Sequence, residues 1–468
     1  MSSSSKAFTF VDLFAGIGGF HAALSALGGD AVYAIEKDEA AAAVYERNWR
    51  LPAFGDIVAD TEKRMRIPEH DVLAAGFPCQ PFSKSGYQRG MDEARGTLFW
   101  NILEILRVRR PTVVLLENVR NLAGPRHTHE WDVIIRSLRD LGYRVSATPL
   151  VFSPHLLPPE RGGRPQVRER VFILGTYVGK RLAQKDVHFT VNAGPVDGWD
   201  PQKWVLEAHL PLDANLDSKS ELKLRLSPQE MTWIEAWNDF VVTLRRAGIK
   251  KLPGFPVWKD AFVLEHDLVV DPSTPAWKAD FLRKNAALYT EHQSILESWL
   301  ARWNYLEDFP PSRRKLEWQA QDAKSLYDTV MHLRPSGLRA KRPTYLPALV
   351  AITQTSILGD RLRRLSPREA ARLQSLPEWF DFGDQPDAAT YKQLGNGVNV
   401  GAAYHVFRQQ VLETIDHVSK RSPDLARVVA LSDPSPDVAV ERHWDPNRAV
   451  TVRQREAPAS DREVAAAG

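Results

Sequence analysis

Alternating strand-like and helix-like segments in the first 175 residues restrict the fold of this chain more than any other feature. An Ala-rich helical pattern spans residues 39–48, between two of the strand-like runs. The apolar runs occupy residues 9–14, 31–35, 71–75, 112–116, 145–151 and 170–174. This spacing predicts an α/β fold with a doubly wound, mostly parallel sheet.

The alternation stops near residue 180, where a second and smaller domain is expected. Nine tryptophans lie between Trp199 and Trp318, with no βα alternation around them. Regular structure resumes at Ser366, which can cap a helix whose capping box Glu369 closes. After about residue 422 the chain is rich in Pro, Asp and Ala. We therefore predict a disordered start at 1–7, a first domain at 8–180 and 376–422, a second domain at 181–375, and a disordered tail at 423–468.

Charge is distributed unevenly although the formal net charge is only +3. Residues 310–372 hold 13 Lys/Arg against 5 Asp/Glu, and residues 161–185 hold 7 against 1. Such stretches are typical of proteins that bind nucleic acid, although solvated basic faces are also common. No apolar run approaches the roughly 18 residues of a membrane span, and no secretory signal opens the chain. We expect a cytoplasmic, nucleoid-associated protein.

The chain has a single cysteine, Cys79, in the segment Gly76-Phe-Pro-Cys-Gln-Pro-Phe-Ser83. A lone thiol forms no intrachain disulfide and no cysteine cluster around a metal, and we expect no metal site. The segment follows a strand-like run, and strand ends are where α/β proteins place reactive groups. Cys79 is therefore either a nucleophile or a small buried apolar side chain.

Three segments near the start suggest a site for a nucleoside. Ala15-Gly-Ile-Gly-Gly19 follows a strand and opens a helix, but His21 occupies the position of the third fingerprint glycine. Glu36 ends the second strand, where an acid can accept hydrogen bonds from ribose hydroxyls. Asp56 falls near the end of a possible third strand and can accept from an adenine amino group. A tight turn and two solvated carboxylates are the alternative interpretation.

Further polar groups follow later strands. Glu117 comes after four apolar strand residues and would share a sheet edge with Cys79 if their strands are neighbours. Arg168 and Arg170 share one face by the period of a strand, and can orient Glu117, bind a phosphate or lower the pKa of the thiol. A surface ion-pair ladder is the alternative. Gln393-Leu-Gly-Asn-Gly-Val-Asn399 is a tight turn before a helix.

Taken together and in order, these blocks resemble the DNA (cytosine-5) methyltransferase family of bacterial restriction-modification systems. The resemblance covers roughly residues 8–175 and 360–410. Its blocks are Phe10–Phe20, Gly76–Ser83, Glu117–Val119, Gln166–Arg170, Arg364–Gln374 and Gln393–Val398. Gly397 stands where the family commonly has Ser, and Lys37 where it often has an aromatic residue that stacks on adenine.

The resemblance implies the fold of S-adenosylmethionine-dependent methyltransferases and a covalent mechanism. The Cys79 thiolate would add to C6 of cytosine while Glu117 holds N3 and the exocyclic amine. C5 would then take the methyl group of S-adenosyl-L-methionine. The implied catalytic residues are Cys79, Glu117, Arg168 and Arg170. The implied cofactor residues are Phe14, Gly16, Ile17, Gly18, Gly19, Glu36, Asp56, Ile57, Pro78, Asn396 and Val398.

By the same resemblance the first domain is the catalytic, cofactor-binding domain and residues 181–375 form the target-recognition domain. The substrate would be double-stranded DNA, from which the target base is flipped out. The loop after Cys79 would contact DNA, and basic clusters in the second domain would neutralise phosphates or read guanine edges. The expected DNA-binding residues are Ser83, Ser85, Gln88, Arg313, Arg314, Lys315, Arg339 and Arg342.

Three alternatives remain open at the level of sequence. The same chemistry can act on RNA, although a long middle domain favours reading of a duplex. A non-catalytic DNA-binding regulator is a second alternative, against which Cys79, Glu117 and Arg168 argue. A nuclease fused within the middle domain is a third, but no acid-acid-lysine signature is found there. We expect a monomer, functionally paired with a restriction endonuclease without forming a stable complex.

Overall fold

The computed structural model describes residues 7–62, 65–78, 97–187, 194–196, 198–213, 218–349 and 355–437. The first unit contains a seven-stranded sheet. The strands up to residue 177 are β1 (Phe8–Leu13), β2 (Gly29–Ile35), β3 (Val72–Gly76), β4 (Val113–Val119), β5 (Tyr143–Arg144), β6 (Leu150–Phe152), β7 (Gln166–Val167) and β8 (Arg170–Tyr177). The sheet order is β2-β1-β3-β4-β8-β5, with β6 also beside β8, while β7 belongs to another sheet.

The predicted α/β fold class is confirmed, but the sheet is parallel in only one half. β2, β1, β3 and β4 pair in parallel, whereas β8 pairs antiparallel with β4, β5 and β6. Antiparallel neighbours need no crossover helix, and the segment between β5 and β8 contains only β6, β7 and two short 3₁₀ turns. The strand predicted at 145–151 is wrong for residues 145–149, because Pro149 lacks the N–H that a ladder requires.

Helices cover both faces of this sheet. Successive residues of β3 alternate between two separate apolar clusters, with Val72 and Ala74 in one and Leu73 and Ala75 in the other. Burial on both sides explains why the strands are continuous apolar runs rather than alternating ones. The helices of this part are α1 (Gly19–Ala26), α2 (Glu39–Trp49), α3 (Ile57–Glu62), α4 (Leu98–Arg109) and α5 (Thr128–Asp140).

The middle of the chain forms a second sheet with its own helices. Helix α6 (Lys180–Ala183) contacts α5 and β5 of the first unit. The helices of the middle unit are α7 (Leu206–His209), α8 (Ser218–Leu224), α9 (Pro228–Arg246), α10 (Ala276–Glu291) and α11 (Gln293–Arg302). Its strands are β9 (Val257–Trp258), β10 (Lys315–Gln319), β11 (Val330–Arg334), β12 (Gly337–Lys341), β13 (Leu346–Pro347), β14 (Ile357–Leu358) and β15 (Arg363–Arg364). The six-stranded order is β15-β14-β11-β12-β10-β9, and β13 pairs with β7 of the first unit.

Tryptophans contribute to the core of this middle unit. Trp237, Trp299 and Trp318 are buried in one apolar cluster, and Trp204 is fully buried as well. Trp277 differs, because 61% of its surface is exposed. The tryptophans therefore serve mainly to hold α9 and α11 against the sheet.

Five helices complete the described part of the chain. They are α12 (Pro367–Leu373), α13 (Asp387–Asn396), α14 (Val400–Glu413), α15 (Ile415–Arg421) and α16 (Pro423–Ala430). The predicted capping box is confirmed, since the Ser366 hydroxyl accepts from the Glu369 N–H at 3.1 Å and the Ser366 N–H donates to the Glu369 carboxylate at 2.8 Å.

The prediction of a disordered tail from residue 423 is wrong for its first part. Pro423 occupies the first turn of α16, and Leu425, Ala426 and Val429 bury one face of that helix in the core of the first unit. Their helical spacing is easily missed in a segment rich in Pro and Asp. Residues 438–468 lie outside the described part of the chain.

Within the described residues, no helix combines the length and apolar character needed to cross a membrane. The described ranges also contain no group of three or more His, Cys, Asp and Glu side chains arranged to hold a metal ion.

Candidate active site

The turn between β1 and α1 requires its glycines. Gly16 and Gly18 have positive φ angles of 53° and 94°, and a side chain at Gly18 would overlap the Trp49 indole. That indole donates to the Ile17 carbonyl at 3.0 Å, and a Cβ at Gly19 would lie 2.5 Å from the Val398 carbonyl oxygen. At Gly16, in contrast, nothing lies within 4 Å of an added Cβ. The turn is therefore packed against Trp49 and Val398 at Gly18 and Gly19, and it is open at Gly16.

Glu36 holds this turn in place at the carboxyl end of β2. Its two carboxylate oxygens accept from the N–H groups of Gly16 and Asp38, both at 2.8 Å. Each carboxylate oxygen has a further lone pair, so that Glu36 can still accept from a ligand. Phe14 stands at the start of the turn with a φ of 55°, which is unusual for a residue with a side chain.

Asp56 lies in a loop rather than at the end of a third strand. Only a single parallel bridge joins Phe54 to Glu36, and α3 begins directly after Asp56. The Val58 N–H, at 3.0 Å, and the Lys37 ammonium, at 3.2 Å, hold the pKa of Asp56 below its usual value. Ile57 is buried behind this loop. The predicted third strand is therefore wrong: before α3 begins, only Phe54 pairs with the end of β2, and a single bridge does not make a strand.

Glu117 lies beside the strand that leads to the cysteine. β3 and β4 are parallel neighbours, and Gly76 is in register with Glu117. The Glu117 carboxylate is buried and lies 3.0 Å from the Arg170 guanidinium. Burial raises the pKa of Glu117 above its usual value, although Arg170 and then Arg168 oppose that shift. A buried acid with a raised pKa is suited to donate a proton.

Asn118 is a positioning residue that sequence reasoning did not single out. Its amide donates to the Phe77 carbonyl at 2.8 Å and so joins the end of β4 to the segment that precedes Cys79. Pro78 follows and is exposed. Cys79 itself lies outside the described residues. In the sequence, the only signal for a role of Asn118 was its position next to Glu117 at the end of a strand.

Arg168 and Arg170 have different tasks although they lie two residues apart. Arg168 is 1% exposed and donates to the carbonyls of Leu349, Gly395 and Gly397 at 3.1, 2.9 and 2.6 Å. Burial and the neighbouring Arg170 lower the pKa of Arg168 to about 9. Arg168 therefore holds residues 395–397 in place, a segment that contains the exposed Asn396 and is followed by the partly buried Val398. Of these two arginines, only Arg170 is paired with Glu117.

The predicted DNA-binding cations of the middle unit all have partners within that unit. Arg313 donates to the Arg334 carbonyl, Arg314 donates to the Phe309 carbonyl, and Lys315 lies over the Trp258 ring. Arg339 pairs with Glu317, and Arg342 with Asp322. Their contacts to DNA stay a prediction. Ser83, Ser85 and Gln88 lie outside the described residues.

The glycine turn after β1 and the acids Glu36 and Glu117 lie at the carboxyl ends of parallel strands, which defines an α/β enzyme of the kind that binds nucleoside-containing ligands. The family described as C-5 cytosine-specific DNA methylase matches residues 8–411. The chain belongs to this family, and it is a DNA (cytosine-5) methyltransferase. Both the predicted family and the predicted enzyme class are confirmed.

Similar proteins come from several bacteria. The Type II methyltransferase M.AluI of Cellulosimicrobium cellulans is 48% identical over 485 residues, covering 88% of this chain and 93% of that protein. M.HhaI of Haemophilus parahaemolyticus is 42% identical over 165 residues, covering 35% of this chain and 48% of that protein. The crystal structure of S. pombe Dnmt2 methyltransferase has a TM-score of 0.46 at 16% identity, covering 87% of this chain and 99% of that one, which is only a loose likeness.

Proposed function

We propose that this enzyme transfers a methyl group from S-adenosyl-L-methionine to C5 of a cytosine flipped out of a specific duplex sequence, through a covalent bond between Cys79 and C6. The register of β3 and β4 is the observation that carries this proposal. It sets a buried, arginine-paired Glu117 in line with Gly76, three residues before the single thiol of the chain.

The residues around the glycine turn fit a nucleoside cofactor. Gly16 opens to free space, so a ligand can approach the backbone there. Glu36 keeps lone pairs for two ribose hydroxyls, and Asp56 with the N–H of Ile57 can meet the edge of adenine. Phe14, the backbone of residues 17–19, Pro78, Asn396 and Val398 complete the proposed site. When bound, S-adenosyl-L-methionine supplies an electrophilic methyl group to the site.

The protein groups activate a base that is a poor nucleophile at C5. The Cys79 thiolate forms a bond to C6, and the electron pair of the C5–C6 bond moves toward C5. Protonated Glu117 donates to N3 as negative charge develops on the ring, and Arg170 orients the carboxyl group. Once C5 carries the methyl group and has lost its proton, the bond between sulfur and C6 breaks and Cys79 is released.

The substrate must be opened before this chemistry starts. Cytosine C6 is inaccessible in a stacked duplex, and extruding a base costs a few kcal/mol. The segment after Cys79, with Ser83, Ser85 and Gln88, is proposed to contact DNA and the vacated space. Residues 181–375 are proposed as the target-recognition domain, where Arg313, Arg314, Lys315, Arg339 and Arg342 contact the duplex.

A restriction system is the proposed biological setting. Relatives that share 48% and 42% identity with this chain are named Type II methyltransferases. We propose that methylation protects DNA from a cognate restriction endonuclease, with which the monomeric enzyme forms no stable complex. The reaction takes place where the DNA is, in the cytoplasm at the nucleoid.

Bisulfite sequencing of a bacterial genome tests the activity and reveals the motif at once. Expression of the wild-type chain should give 5-methylcytosine at one fixed motif, and Cys79→Ser should lose roughly 10³-fold or more of the rate. Methylation of transfer RNA instead of DNA would favour the RNA alternative. No new 5-methylcytosine in either nucleic acid would refute the proposed reaction.

A duplex with 5-fluorocytosine at the target tests the covalent step. Fluorine replaces the C5 hydrogen, so the proton whose loss normally precedes cleavage of the bond between sulfur and C6 is absent. The enzyme should therefore remain attached to the DNA in a denaturing gel. Because the chain has one cysteine, the adduct can form at one thiol only. An adduct that persists in Cys79→Ala, or its absence with an active wild type, would contradict the mechanism.

A further inference from the structure

A set of polar side chains lies buried behind the glycine turn and takes no part in the proposed reaction. Asp12 belongs to β1, His21 to α1 and Tyr45 to α2. Asp12 and Tyr45 are 0% exposed, and His21 is 8% exposed. Burying polar groups costs free energy unless they are hydrogen-bonded, so their presence in this core requires an explanation. We call these three residues, together with Trp49, the turn support.

Trp49 connects the turn support to the backbone of the glycine turn. Its indole N–H donates to the Ile17 carbonyl at 3.0 Å, and its ring fills the space that a side chain at Gly18 would need. The His21 ring stacks on this indole, with centroids 4.4 Å apart and an angle of 18° between the two planes. The indole therefore holds the Ile17 carbonyl in place, and the imidazole holds the indole.

This contact explains the departure at the third position of the glycine fingerprint. The third glycine of that fingerprint allows a helix to pack closely on a strand, whereas this chain has His21 there. The imidazole meets the Phe10 ring of β1 edge-on at 5.4 Å between centroids, besides stacking on Trp49 of α2. The side chain at this position therefore links β1, α1 and α2 behind the turn.

Tyr45 holds His21 without introducing a charge. The Nδ1 atom of His21 lies 2.7 Å from the Tyr45 hydroxyl. Burial lowers the pKa of His21 to about 3, so the imidazole is neutral at physiological pH. Burial, and after it the nearby Asp12, raises the pKa of Tyr45 well above its usual value, so the hydroxyl keeps its proton. An imidazole and a hydroxyl can then share one neutral hydrogen bond.

Asp12 lies at the far end of the turn support. Within the described ranges, neither of its carboxyl oxygens makes a hydrogen bond of regular geometry. Burial raises the pKa of Asp12 well above its usual value and the charge of Glu36 adds to the rise, whereas the His21 N–H and the Tyr45 hydroxyl oppose it. A protonated carboxyl group can donate to the Tyr45 oxygen, which an ionised one cannot. The turn support is therefore consistent with an uncharged network throughout.

Helix α2, which carries two members of the turn support, is fastened to the chain that follows the middle unit. The Asn48 side chain accepts from the Asp381 N–H at 2.7 Å and donates to the Asp381 carbonyl at 2.8 Å. The Trp49 ring also meets the Trp379 ring edge-on, with centroids 5.6 Å apart. Because α2 is held in this way, loss of a contact within the turn support should displace the glycine turn rather than the helix.

We propose that Asp12, His21 and Tyr45 are positioning residues for the cofactor, which act through Trp49 to keep the glycine turn in the conformation that accepts S-adenosyl-L-methionine. The inference rests on the proposed use of that cofactor, and it adds residues that the methyl-transfer mechanism does not require. Since these residues act through the turn, their loss should weaken cofactor binding and leave the chemical steps nearly unchanged.

The test measures binding of S-adenosyl-L-homocysteine to the full chain by isothermal titration calorimetry. This compound keeps the adenosine and amino-acid groups of the cofactor but has no methyl group to transfer, so the measurement needs no turnover. Tyr45→Phe leaves His21 and Asp12 without their shared partner and should weaken binding about 5- to 30-fold. If Tyr45→Phe does not fold, His21→Gln takes its place, because it removes the ring that stacks on Trp49 and should cause a similar loss.

Tyr143→Phe is the matched control. Tyr143 is also 0% exposed, and its hydroxyl donates to the Pro111 carbonyl at 3.0 Å. It lies on β5, at the opposite end of the sheet from β2. Tyr143→Phe therefore removes an equally buried hydroxyl and should leave the binding of S-adenosyl-L-homocysteine unchanged.

Two variants of Asp12 test the uncharged state of the turn support. Asp12→Asn keeps a neutral group that can donate to the Tyr45 oxygen, so binding should stay within about twofold of the wild type. Asp12→Ala removes that group and should weaken binding as Tyr45→Phe does. A loss in Asp12→Asn as large as in Asp12→Ala would show that a charged carboxylate is needed, which would overturn the neutral network.

Steady-state kinetics provide a second measurement. In Tyr45→Phe the KM for S-adenosyl-L-methionine should rise while kcat stays within about twofold of the wild type. Unchanged binding in Tyr45→Phe, or equal losses in Tyr45→Phe and Tyr143→Phe, would overturn the inference while leaving the proposed reaction intact. A wild-type chain that binds neither S-adenosyl-L-homocysteine nor S-adenosyl-L-methionine would instead refute the proposed cofactor and the inference with it.

Discussion

At the scale of single residues, the site depends on groups that the sequence could suggest and on contacts that it could not. Glu36 and Glu117 were predictable, because each acid directly follows a strand of a parallel sheet. The three carbonyls bound by Arg168 were not, since two of them lie more than 200 residues away. Local spacing placed Arg168 and Arg170 on one face, but tertiary contacts gave them separate tasks.

The pair of Glu117 and Arg170 predicts a shift in pH dependence. Activity should fall as the pH rises through the pKa of Glu117, because its proton is donated to the base. Arg170 lowers that pKa, so Arg170→Ala should raise it and move the alkaline limb of the kcat profile to higher pH, at a reduced maximum rate. Arg170→Lys keeps the charge and should leave the limb nearly in place. A limb that moves to lower pH would contradict the assignment.

Substitutions at Gly397 and at Gly18 should differ in how much they lower the free energy of unfolding. Gly397 has an ordinary φ of −66°, and an added Cβ would lie 3.3 Å from the nearest atom, the Gln393 carbonyl oxygen. Gly397→Ser therefore needs only a small shift of that carbonyl and should change the free energy of unfolding by about 1 kcal/mol or less. Gly18→Ala should cost about 2 kcal/mol or more, because of its φ of 94° and the overlap with Trp49. Urea unfolding measures the free energy of unfolding of both variants. Equal losses of stability in the two variants would refute this distinction.

At the scale of elements, capping boxes show what local sequence can and cannot predict. Ser227-Pro-Gln-Glu230 opens α9 and Ser366-Pro-Arg-Glu369 opens α12, and both form complete boxes. The motif alone predicts the start of each helix. It does not predict burial, because that depends on which element lies over the box: the Glu369 side chain is 0% exposed and that of Glu230 is 18% exposed.

These two boxes give a matched pair of variants. Glu369 binds Arg363 through two hydrogen bonds of 2.9 and 2.7 Å and also accepts from the Asp213 N–H. Glu369→Gln leaves a buried guanidinium without its charge partner, which should cost about 3 kcal/mol. Glu230→Gln, at the partly exposed box with Arg364, should cost about 1 kcal/mol or less. Thermal and urea unfolding check both, and a larger loss for Glu230→Gln would contradict the role of burial.

At the scale of the whole molecule, the ordered blocks predicted family and fold class, whereas the organisation of the middle unit could not be read from the sequence. Its sheet orders β15-β14-β11-β12-β10-β9, and such pairings between distant short strands have no local signal. The first unit was easier to predict, since strands buried on both faces leave long apolar runs. The same reliance on strong local patterns explains why α16 was assigned to a disordered tail.

The position of α16 leads to a prediction about truncation. Leu425 and Val429 are fully buried, the Tyr404 hydroxyl donates to the Asp433 carbonyl at 2.6 Å, and Arg164 pairs with Asp437 at 2.7 Å. A chain ending at Ser422 loses all these contacts, whereas a chain ending at Asp437 keeps them. Burial of the apolar face alone suggests that the shorter chain is less stable by about 4 kcal/mol.

Point variants of the full chain separate packing from chain length. Leu425→Ala should cost about 3 kcal/mol because it leaves a cavity in the core of the first unit, while Leu431→Ala should cost almost nothing, since 78% of Leu431 is exposed. Urea unfolding of both variants and of the two truncated chains measures these differences. Equal stability of the chains ending at Ser422 and Asp437 would show that the catalytic unit is complete without α16. A loss confined to the shorter chain and to Leu425→Ala would place the end of that unit after α16 rather than before it.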